Sequence, residues 1–262
     1  MTVVPSLRRF VLVVLVLAGA TAPPAATADP KPLRIGVEGA YPPFSAISPD
    51  GTIKGFDIDI ADALCARMKV PCTKVQLDFD GMIPALQARR IDLVVASMAI
   101  SPERRKVVDF TAKYYNTPAR FVARSAAGLA PTPDGLAGRR VGVQRGTIHD
   151  RYVTAHFKRS EVVRYGKQDE VFLDLAAGRL DGTLVDSVAA DLGFLKTPAG
   201  KGFAFVGPAF DDPAFFGDGS GIAVRKGDPL RARLDEALQA IRADGTYRKL
   251  QDRYFDFDIY GK

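Results

Sequence analysis

Leu86–Asp92 reads LQARRID, and a matching stretch, LAAGRLD, lies at Leu175–Asp181 and aligns with it without a gap. Both stretches have the pattern of a helix end that leads into an apolar strand. Extending the match places Ser97 opposite Asp186, each at the end of its strand. The match favours two similar lobes, although helix-to-strand passages in unrelated α/β proteins share the same pattern.

The segments around the first stretch alternate between strand and helix patterns. Strands are predicted for LRIGVE, CTKVQLDF and IDLVVASM, and helices for GFDIDIADALCARM and GMIPALQARR. Asp57 is the predicted cap of the first helix, while Ser101 and Pro102 predict the start of a further helix that carries Arg104. The β-α-β-α-β order predicts a mostly parallel sheet with helices on its faces.

The same alternation begins again in the second half of the chain. RRVGVQ, SEVVRYG and LDGTLVD have strand patterns, and TIHDRYVTAHF and DEVFLDLAA have helix patterns between them. GSGIAVRKG predicts a later return strand, and the last segment predicts two helices broken at Gly245. The sequence therefore predicts an α/β protein with two similar sheets.

The N-terminal residues have the pattern of a secretory signal peptide. Arg8 and Arg9 precede the apolar run FVLVVLVLAGA, and an A-x-A site ends at Ala28. The run is too short to span a bilayer, which requires ~20 apolar residues. We expect residues 1–28 to be removed by cleavage after Ala28. No cysteine sits at the cleavage site itself, so no lipid anchor is expected there.

The charge of the chain argues against nucleic acid as a partner. The formal net charge of the 262 residues is +6, and removing Arg8 and Arg9 leaves 6 − 2 = +4. No block of lysine and arginine with interleaved aromatic residues accompanies this mildly basic balance.

Cleavage would leave 262 − 28 = 234 residues, enough for one large or two small domains.

Cys65 and Cys72 are the two cysteines of the chain. In an oxidising compartment an even count favours a disulfide bond. A metal site is disfavoured because no histidine or second cysteine pair lies near them, and a redox pair more often has the spacing C-x-x-C. We interpret the pair as a structural disulfide and expect no metal and no cofactor.

Polar and aromatic residues follow the predicted strands, where open α/β sheets bind their ligands. Arg104 could hold a carboxylate through two parallel hydrogen bonds, helped by the N-terminus of its predicted helix, but a surface arginine is the simpler alternative. Asp186 ends a buried strand and needs a cation, a neighbouring lysine or a helix N-terminus as partner. The strand-end residues are Glu38, Tyr41, Phe79, Asp80, Ser97, Met98, Ala99, Arg104, Arg145, Gly146, Thr147, Ile148, His149 and Asp186.

Longer motifs across the chain resemble a known family. Eight stretches occur in order between Leu33 and Lys262: LRIGVEGAYPPFSA, GFDIDIADALCARM, FDGMIPALQARRIDLV, SPERRKVVDFT, RRVGVQRGT, AAGRLDGTLVDSVAA, FGDGSGIAVRKGD and RADGTYRKLQDRYFDFDIYG. Together they resemble the amino-acid-binding proteins of ABC importers, solute-binding protein family 3, and look most like its histidine- and lysine/arginine/ornithine-binding members.

The resemblance implies a two-lobed periplasmic-binding-protein fold with a two-segment hinge. Lobe 1 would comprise residues 29–117 and 219–262, and lobe 2 residues 118–218. The hinges would lie at Asn116–Ala119 and Gly217–Ser220. The resemblance further implies a periplasmic monomer that binds a free amino acid and docks on a membrane permease.

The resemblance also implies roles for individual residues. Arg104 and the backbone at Ile148 would hold the α-carboxylate, and Asp186 the α-ammonium group. Glu38 would meet a cationic side-chain end between the aromatic rings of Tyr41 and Phe79. The remaining implied contacts are Ala96, Ser97, Met98, Ala99, Gln144, Thr147 and His149, and Cys65 and Cys72 match a disulfide pair of the histidine-type relatives.

Some positions depart from the family pattern. Ala99 and Ile148 stand where many relatives have a hydroxyl group, and Ala96 replaces a frequent serine or glycine. Gln144 replaces the leucine of the lysine/arginine/ornithine type, although glutamine is common in arginine-type relatives. The groups implied to hold the α-carboxylate therefore lack two hydroxyl groups. Each missing hydrogen bond makes the free energy of binding less favourable by ~0.5–1.5 kcal/mol.

The charges favour a basic amino acid, with arginine first, then lysine or ornithine, then histidine; opines are a further possibility. An exported dehydratase acting on prephenate or arogenate is the enzymatic alternative, but the chain lacks G-x-S-x-G, zinc and nucleotide motifs. A ligand-sensing receptor module is a third alternative. We expect a binding protein and not an enzyme.

Overall fold

A computed structural model of the chain describes residues 1–2 and 31–261. Residues 3–28 of the predicted signal peptide, together with its cleavage site, lie outside the described residues. The strands of the described part are β1 (Leu33–Val37), β2 (Ala40–Tyr41), β3 (Ser45–Ile47), β4 (Ile53–Lys54), β5 (Cys72–Gln76), β6 (Leu93–Val94), β7 (Val108–Tyr115), β8 (Ala119–Arg124), β9 (Arg140–Gln144), β10 (Glu161–Tyr165), β11 (Gly182–Asp186), β12 (Phe203–Phe210) and β13 (Ser220–Arg225). Its α-helices are α1 (Phe56–Met68), α2 (Met82–Gln87), α3 (Ile148–His156), α4 (Gln168–Ala176), α5 (Ser187–Ala190), α6 (Pro213–Phe216), α7 (Leu230–Ala243) and α8 (Thr246–Gln251).

Two five-stranded sheets share one plan. The first has the order β5-β1-β6-β13-β7 and the second the order β10-β9-β11-β8-β12. In each sheet the first three strands are parallel, while the fourth is antiparallel to both of its neighbours. The fourth strand runs backwards because it enters from the other sheet, at the edge where the parallel strands end. β2, β3 and β4 form a small separate sheet.

The sequence match at Leu86–Asp92 and Leu175–Asp181 corresponds to the same structural feature in both sheets. The backbone N–H of Arg34 donates to the carboxylate of Asp92 at 3.0 Å, and that of Arg140 donates to Asp181 at 2.8 Å. The N–H of each aspartate returns a 2.8 Å bond to the carbonyl of the same arginine. Each aspartate therefore clips the start of one strand to the start of its neighbour.

Alternating side chains of the first sheet belong to two different apolar layers, as the period of a strand requires. Leu93 and Val95 belong to the cluster that includes buried residues of α1 and α7. Val94 and Ala96 belong to the cluster that includes Met82 of α2. The sheet therefore has helices on both faces, which leaves the carboxyl ends of its strands as the place for polar groups.

Two passages connect the sheets. Residues 116–118 link β7 to β8, and residues 211–219 link β12 to β13. In the second passage Gly217 has a φ of 79°, and a Cβ atom there would lie 2.2 Å from the carbonyl oxygen of Ile100. Only glycine fits such a close approach with that backbone conformation. Both predicted hinge segments lie in or at the ends of these passages.

Two local predictions were wrong. The helix predicted from Ser101 is a single 3₁₀ turn, Arg104–Lys106, although the Ser101 hydroxyl accepts the N–H of Arg104 at 3.3 Å. Asp57 does not cap α1, because Gly55 holds that position without a side-chain bond. The Asp57 carboxylate instead accepts hydrogen bonds from residues distant in the sequence, which local pattern reading does not detect.

Cys65 and Cys72 form the predicted disulfide, with their Cα atoms 6.3 Å apart. Replacing both by serine is expected to lower the free energy of unfolding by ~2 kcal/mol, because the bond closes only a short loop of the unfolded chain. Amino-acid affinity should stay unchanged, since neither cysteine lines the main cavity. Urea unfolding measures the first quantity and calorimetry the second. An unchanged unfolding midpoint would contradict the structural role.

Candidate functional site

The carboxyl ends of both sheets face a cavity of about 500 Å³. Residues after β1 and β6 line it from the first sheet, and residues at the end of β9, directly after β9 and at the end of β11 line it from the second. The residues predicted as ligand contacts that line it are Glu38, Tyr41, Phe79, Ala96, Ser97, Ala99, Arg104, Gln144, Thr147, Ile148, His149 and Asp186. The structure therefore brings together side chains from five separate regions of the chain.

Met98 is the predicted contact that does not line this cavity. It is 1% exposed and belongs to the apolar cluster that contains Met82 and Phe110. Its neighbours Ser97 and Ala99 do line the cavity. Met98 thus supports the wall from the core side.

Arg104 is a buried cation, 8% exposed, with no ion-pair partner among residues 31–261. Its guanidinium donates to the carbonyl oxygens of Ala99 and Gly146, both at 3.1 Å. Its Cζ lies 5.2 Å from the centroid of the Phe79 ring. Burial, reinforced by the charge of Arg151, lowers its pKa to about 10. The turn that carries Arg104 has only three residues, so it adds no helix dipole to the charge of the guanidinium.

Asp186 ends β11 and caps α5. Its Oδ1 accepts the N–H groups of Val188 and Ala189 at 2.9 and 3.0 Å, and its Oδ2 accepts the hydroxyl of Thr117. It is 7% exposed and forms no ion pair within the described residues. Burial raises the pKa of its carboxyl group. A cation placed beside it would therefore meet a preorganised, poorly solvated acceptor.

Glu38 is a second buried acid on the cavity wall, 5% exposed. Its Oε1 accepts the side-chain amide of Gln144, which comes from the other sheet. Burial raises the pKa of Glu38 to about 7, and the hydrogen bond from Gln144 opposes that change. The carboxylates of Asp169 and Asp57 raise it further. No lysine or arginine of the described part pairs with Glu38.

The start of α3 forms another part of the wall. The Thr147 hydroxyl donates to the Gln144 carbonyl at 2.7 Å and accepts the N–H of Asp150 at 3.2 Å, so it is used within the helix cap. The N–H of Ile148, in the first turn, remains available to an anion. Burial and the charge of Arg104 lower the pKa of His149 to about 3, so its imidazole is neutral at physiological pH.

Hydrogen bonds and ion pairs join the two sheets around the cavity. Besides the Arg104 and Gln144 bonds, the Arg145 guanidinium lies 2.8 Å from the Asp80 carboxylate. Arg151 pairs with Glu103 on the same rim. The lobes are therefore closed over the cavity in this structure.

The sequence prediction missed the contribution of the connecting passages. Thr117 and Phe216 of these passages line the cavity, as do Tyr115 and Ser220 at the adjoining strand ends. The two hinge segments were predicted, and a site between two lobes must have its hinge as a wall. The predicted hinge segment Asn116–Ala119 could therefore have indicated Thr117 as a lining residue; its hydroxyl donates to Asp186.

Two features do not occur among the residues that the structure describes. None of their helices combines the length and the apolar character needed to cross a bilayer. No group of three or more metal-ligating side chains occurs among them.

Two α/β lobes that enclose a cavity at the carboxyl ends of their strands have the architecture of a periplasmic solute-binding protein. The family model of bacterial extracellular solute-binding proteins, family 3, matches residues 33–257, and the chain belongs to this family. An L-arginine-binding protein of Pseudomonas aeruginosa is 54% identical over 234 residues, which cover 88% of this chain and 90% of that protein.

Two other comparisons agree with this result. The lysine/arginine/ornithine-binding periplasmic protein of Escherichia coli is 43% identical over 259 residues, covering 97% of this chain and all of that protein. A solved structure of an ancestral arginine-binding protein bound to arginine has a TM-score of 0.79 at 35% identity, covering 85% of this chain and 97% of the other. These relatives are binding proteins rather than enzymes.

Proposed function

We propose that this protein is exported, binds a basic amino acid between its lobes and delivers it to the permease of an ABC importer. Arginine is the first candidate, followed by lysine or ornithine and then histidine. One observation carries the proposal: the cavity wall has one buried guanidinium, Arg104, and two buried carboxyl groups, Glu38 and Asp186, and none of the three has an ion-pair partner within residues 31–261. An amino acid with a cationic side chain has the complementary charges, one negative and two positive.

Each charge has a distinct place in the proposal. Arg104 holds the α-carboxylate with the N–H of Ile148, and Asp186 accepts the α-ammonium group. Glu38 meets the cationic end of the side chain beside the ring of Tyr41. The centroid of the Phe79 ring lies 5.2 Å from the Cζ of Arg104, so this ring helps to orient the guanidinium as well as lining the cavity. Ala96, Ser97, Ala99, Gln144, Thr147 and His149 complete the proposed wall, and Met98 supports it from the core side.

The protein would bind by hinge closure, as a monomer. The proposed lobes are residues 29–117 with 219–262, and residues 118–218. The rim pairs that join Asp80 to Arg145 and Glu103 to Arg151 would break on opening. The signal peptide would be removed by cleavage after Ala28, and the mature protein would reside in the periplasm.

Calorimetry and thermal unfolding with single amino acids test this function. Arginine at ~1,000 times its dissociation constant should stabilise the protein by ~4 kcal/mol and raise its melting temperature by ~10 °C. Small-angle scattering should show a smaller radius of gyration after arginine is added. Binding of glutamine but not of arginine, lysine, ornithine or histidine would overturn the proposed specificity. Glutamine serves as the neutral comparison in each measurement.

A further inference from the structure

A buried acid outside the predicted contacts lies behind the cavity wall. Asp57, in the first turn of α1, is 1% exposed and does not line the cavity. Its Oδ2 accepts the hydroxyl of Ser97 at 2.9 Å, and its Oδ1 accepts the hydroxyl of Tyr114 at 2.7 Å. Both oxygens of this carboxyl group are therefore used to hold two hydroxyl groups.

Ser97 has an unusual backbone for a residue with a side chain. Its φ of 52° lies in the left-handed region, which serine rarely adopts. Its N–H donates to the hydroxyl oxygen of Tyr114 at 3.0 Å, and its hydroxyl donates to Asp57. Asp57 and Tyr114, which bond to each other, therefore both hold Ser97. The bonds to Asp57 and Tyr114 hold a conformation that the chain would otherwise leave.

The turn at Ser97 shapes the part of the wall that holds Arg104. Ala96, Ser97 and Ala99 all line the cavity, and the carbonyl oxygen of Ala99 accepts the Arg104 guanidinium at 3.1 Å. A change in φ at Ser97 would move that carbonyl and the guanidinium bonded to it. The hydroxyl of Ser97 donates to Asp57, so in this structure its proton does not serve the cavity.

We propose that Asp57 is a positioning residue for amino-acid binding: it holds Ser97 in its left-handed conformation and thereby sets the wall around Arg104. The inference rests on the proposed function and assigns Asp57 no contact with the ligand. Arginine affinity should therefore depend on Asp57 when residue 97 is serine, and should depend on it little when residue 97 is glycine, which adopts a positive φ without support.

Asp57→Asn tests the first part of this inference. The asparagine amide replaces one acceptor by a donor, so one of the two hydroxyl groups loses its partner. Arginine affinity, measured by calorimetry, should fall ~10-fold. The matched control is Asp59→Asn on the same helix, whose carboxylate bonds to Arg253 and Tyr254 and which should bind arginine as the wild type does. Unchanged affinity in a folded Asp57→Asn variant would overturn the inference.

A glycine background tests whether Asp57 acts through Ser97. Glycine adopts a positive φ at little cost, so in a Ser97→Gly protein the added Asp57→Asn change should lower arginine affinity by only ~2-fold. An equal loss in both backgrounds would overturn the positioning role. Tyr114→Phe is the second variant if Asp57→Asn does not fold, and its ~10-fold loss should be relieved in the same way.

The same experiments separate this inference from the proposed function. A wild-type protein that binds none of the basic amino acids overturns the proposed function, and the inference with it. A wild-type protein that binds arginine, while Asp57→Asn and Tyr114→Phe bind it equally well, overturns the inference alone.

Discussion

Arg104→Ala is expected to lower the affinity for arginine, lysine, ornithine and histidine alike, by ~100-fold or more. Every amino acid carries the α-carboxylate that Arg104 is proposed to hold, and losing one partner of a buried hydrogen-bonded charge pair costs ~2–5 kcal/mol. The departures at Ala99 and Ile148 increase the dependence on Arg104, because neither residue supplies a hydroxyl group. Isothermal titration calorimetry at one ionic strength measures the effect.

Two variants distinguish this role from a general effect of charge. Lys106→Ala removes an exposed cation of the same turn that does not line the cavity, so its affinity should equal that of the wild type. Arg104→Lys keeps the charge but loses the two parallel hydrogen bonds, so its affinity should lie between those of the wild type and Arg104→Ala. If a folded Arg104→Ala protein bound arginine as the wild type does, the carboxylate would have to bind elsewhere.

The plan of the fold could be predicted because the sequence encodes it twice. Asp92 and Asp181 make the same backbone bonds to the neighbouring strand, β1 in the first sheet and β9 in the second, so the match between their sequences reflects a shared structural need. The position of the cavity could be predicted for a related reason. Parallel strands place their carboxyl ends at one edge, so Glu38, Arg104 and Asp186 could be brought together from sequence order and strand direction alone.

The details that sequence could not predict depend on contacts between distant residues. Pro102 and Ser101 favour a helix locally, but the structure keeps a single 3₁₀ turn followed at once by β7. Asp57 has the sequence position of a helix cap, and its partners, Ser97 and Tyr114, are 40 and 57 residues away. No local pattern indicates either outcome.

The wall formed by residues 96–99 illustrates the same limit. In an extended passage neighbouring side chains point to opposite sides, which explains why Met98 is in the core while Ala99 lines the cavity. The positive φ of Ser97 interrupts that passage and turns its hydroxyl toward Asp57. Because serine rarely adopts a positive φ, a serine at position 97 does not indicate this conformation in the sequence.

Glu38→Gln should change the specificity of the site more than its general affinity. Arginine carries a charge at its side-chain end, and citrulline has nearly the same shape without that charge. Loss of the buried carboxylate is expected to weaken arginine binding by ~30–100-fold and to leave citrulline binding within ~3-fold of the wild type. Glu236→Gln, an exposed change on α7, is the control and should alter neither affinity. Equal losses for arginine and citrulline would show that Glu38 does not select charge.

The pH dependence of arginine binding provides an independent check on Glu38. Burial raises its pKa to about 7, and a bound cation favours the ionised carboxylate and lowers that pKa again. Between pH 8 and 6 the complex therefore holds fewer protons than the free protein, so arginine affinity falls as pH falls, by up to ~10-fold per pH unit. Glu38→Gln should have a smaller slope over this range. If the two slopes were equal, Glu38 would keep the same protonation state with and without arginine, and its role in selecting a cation would have to be abandoned.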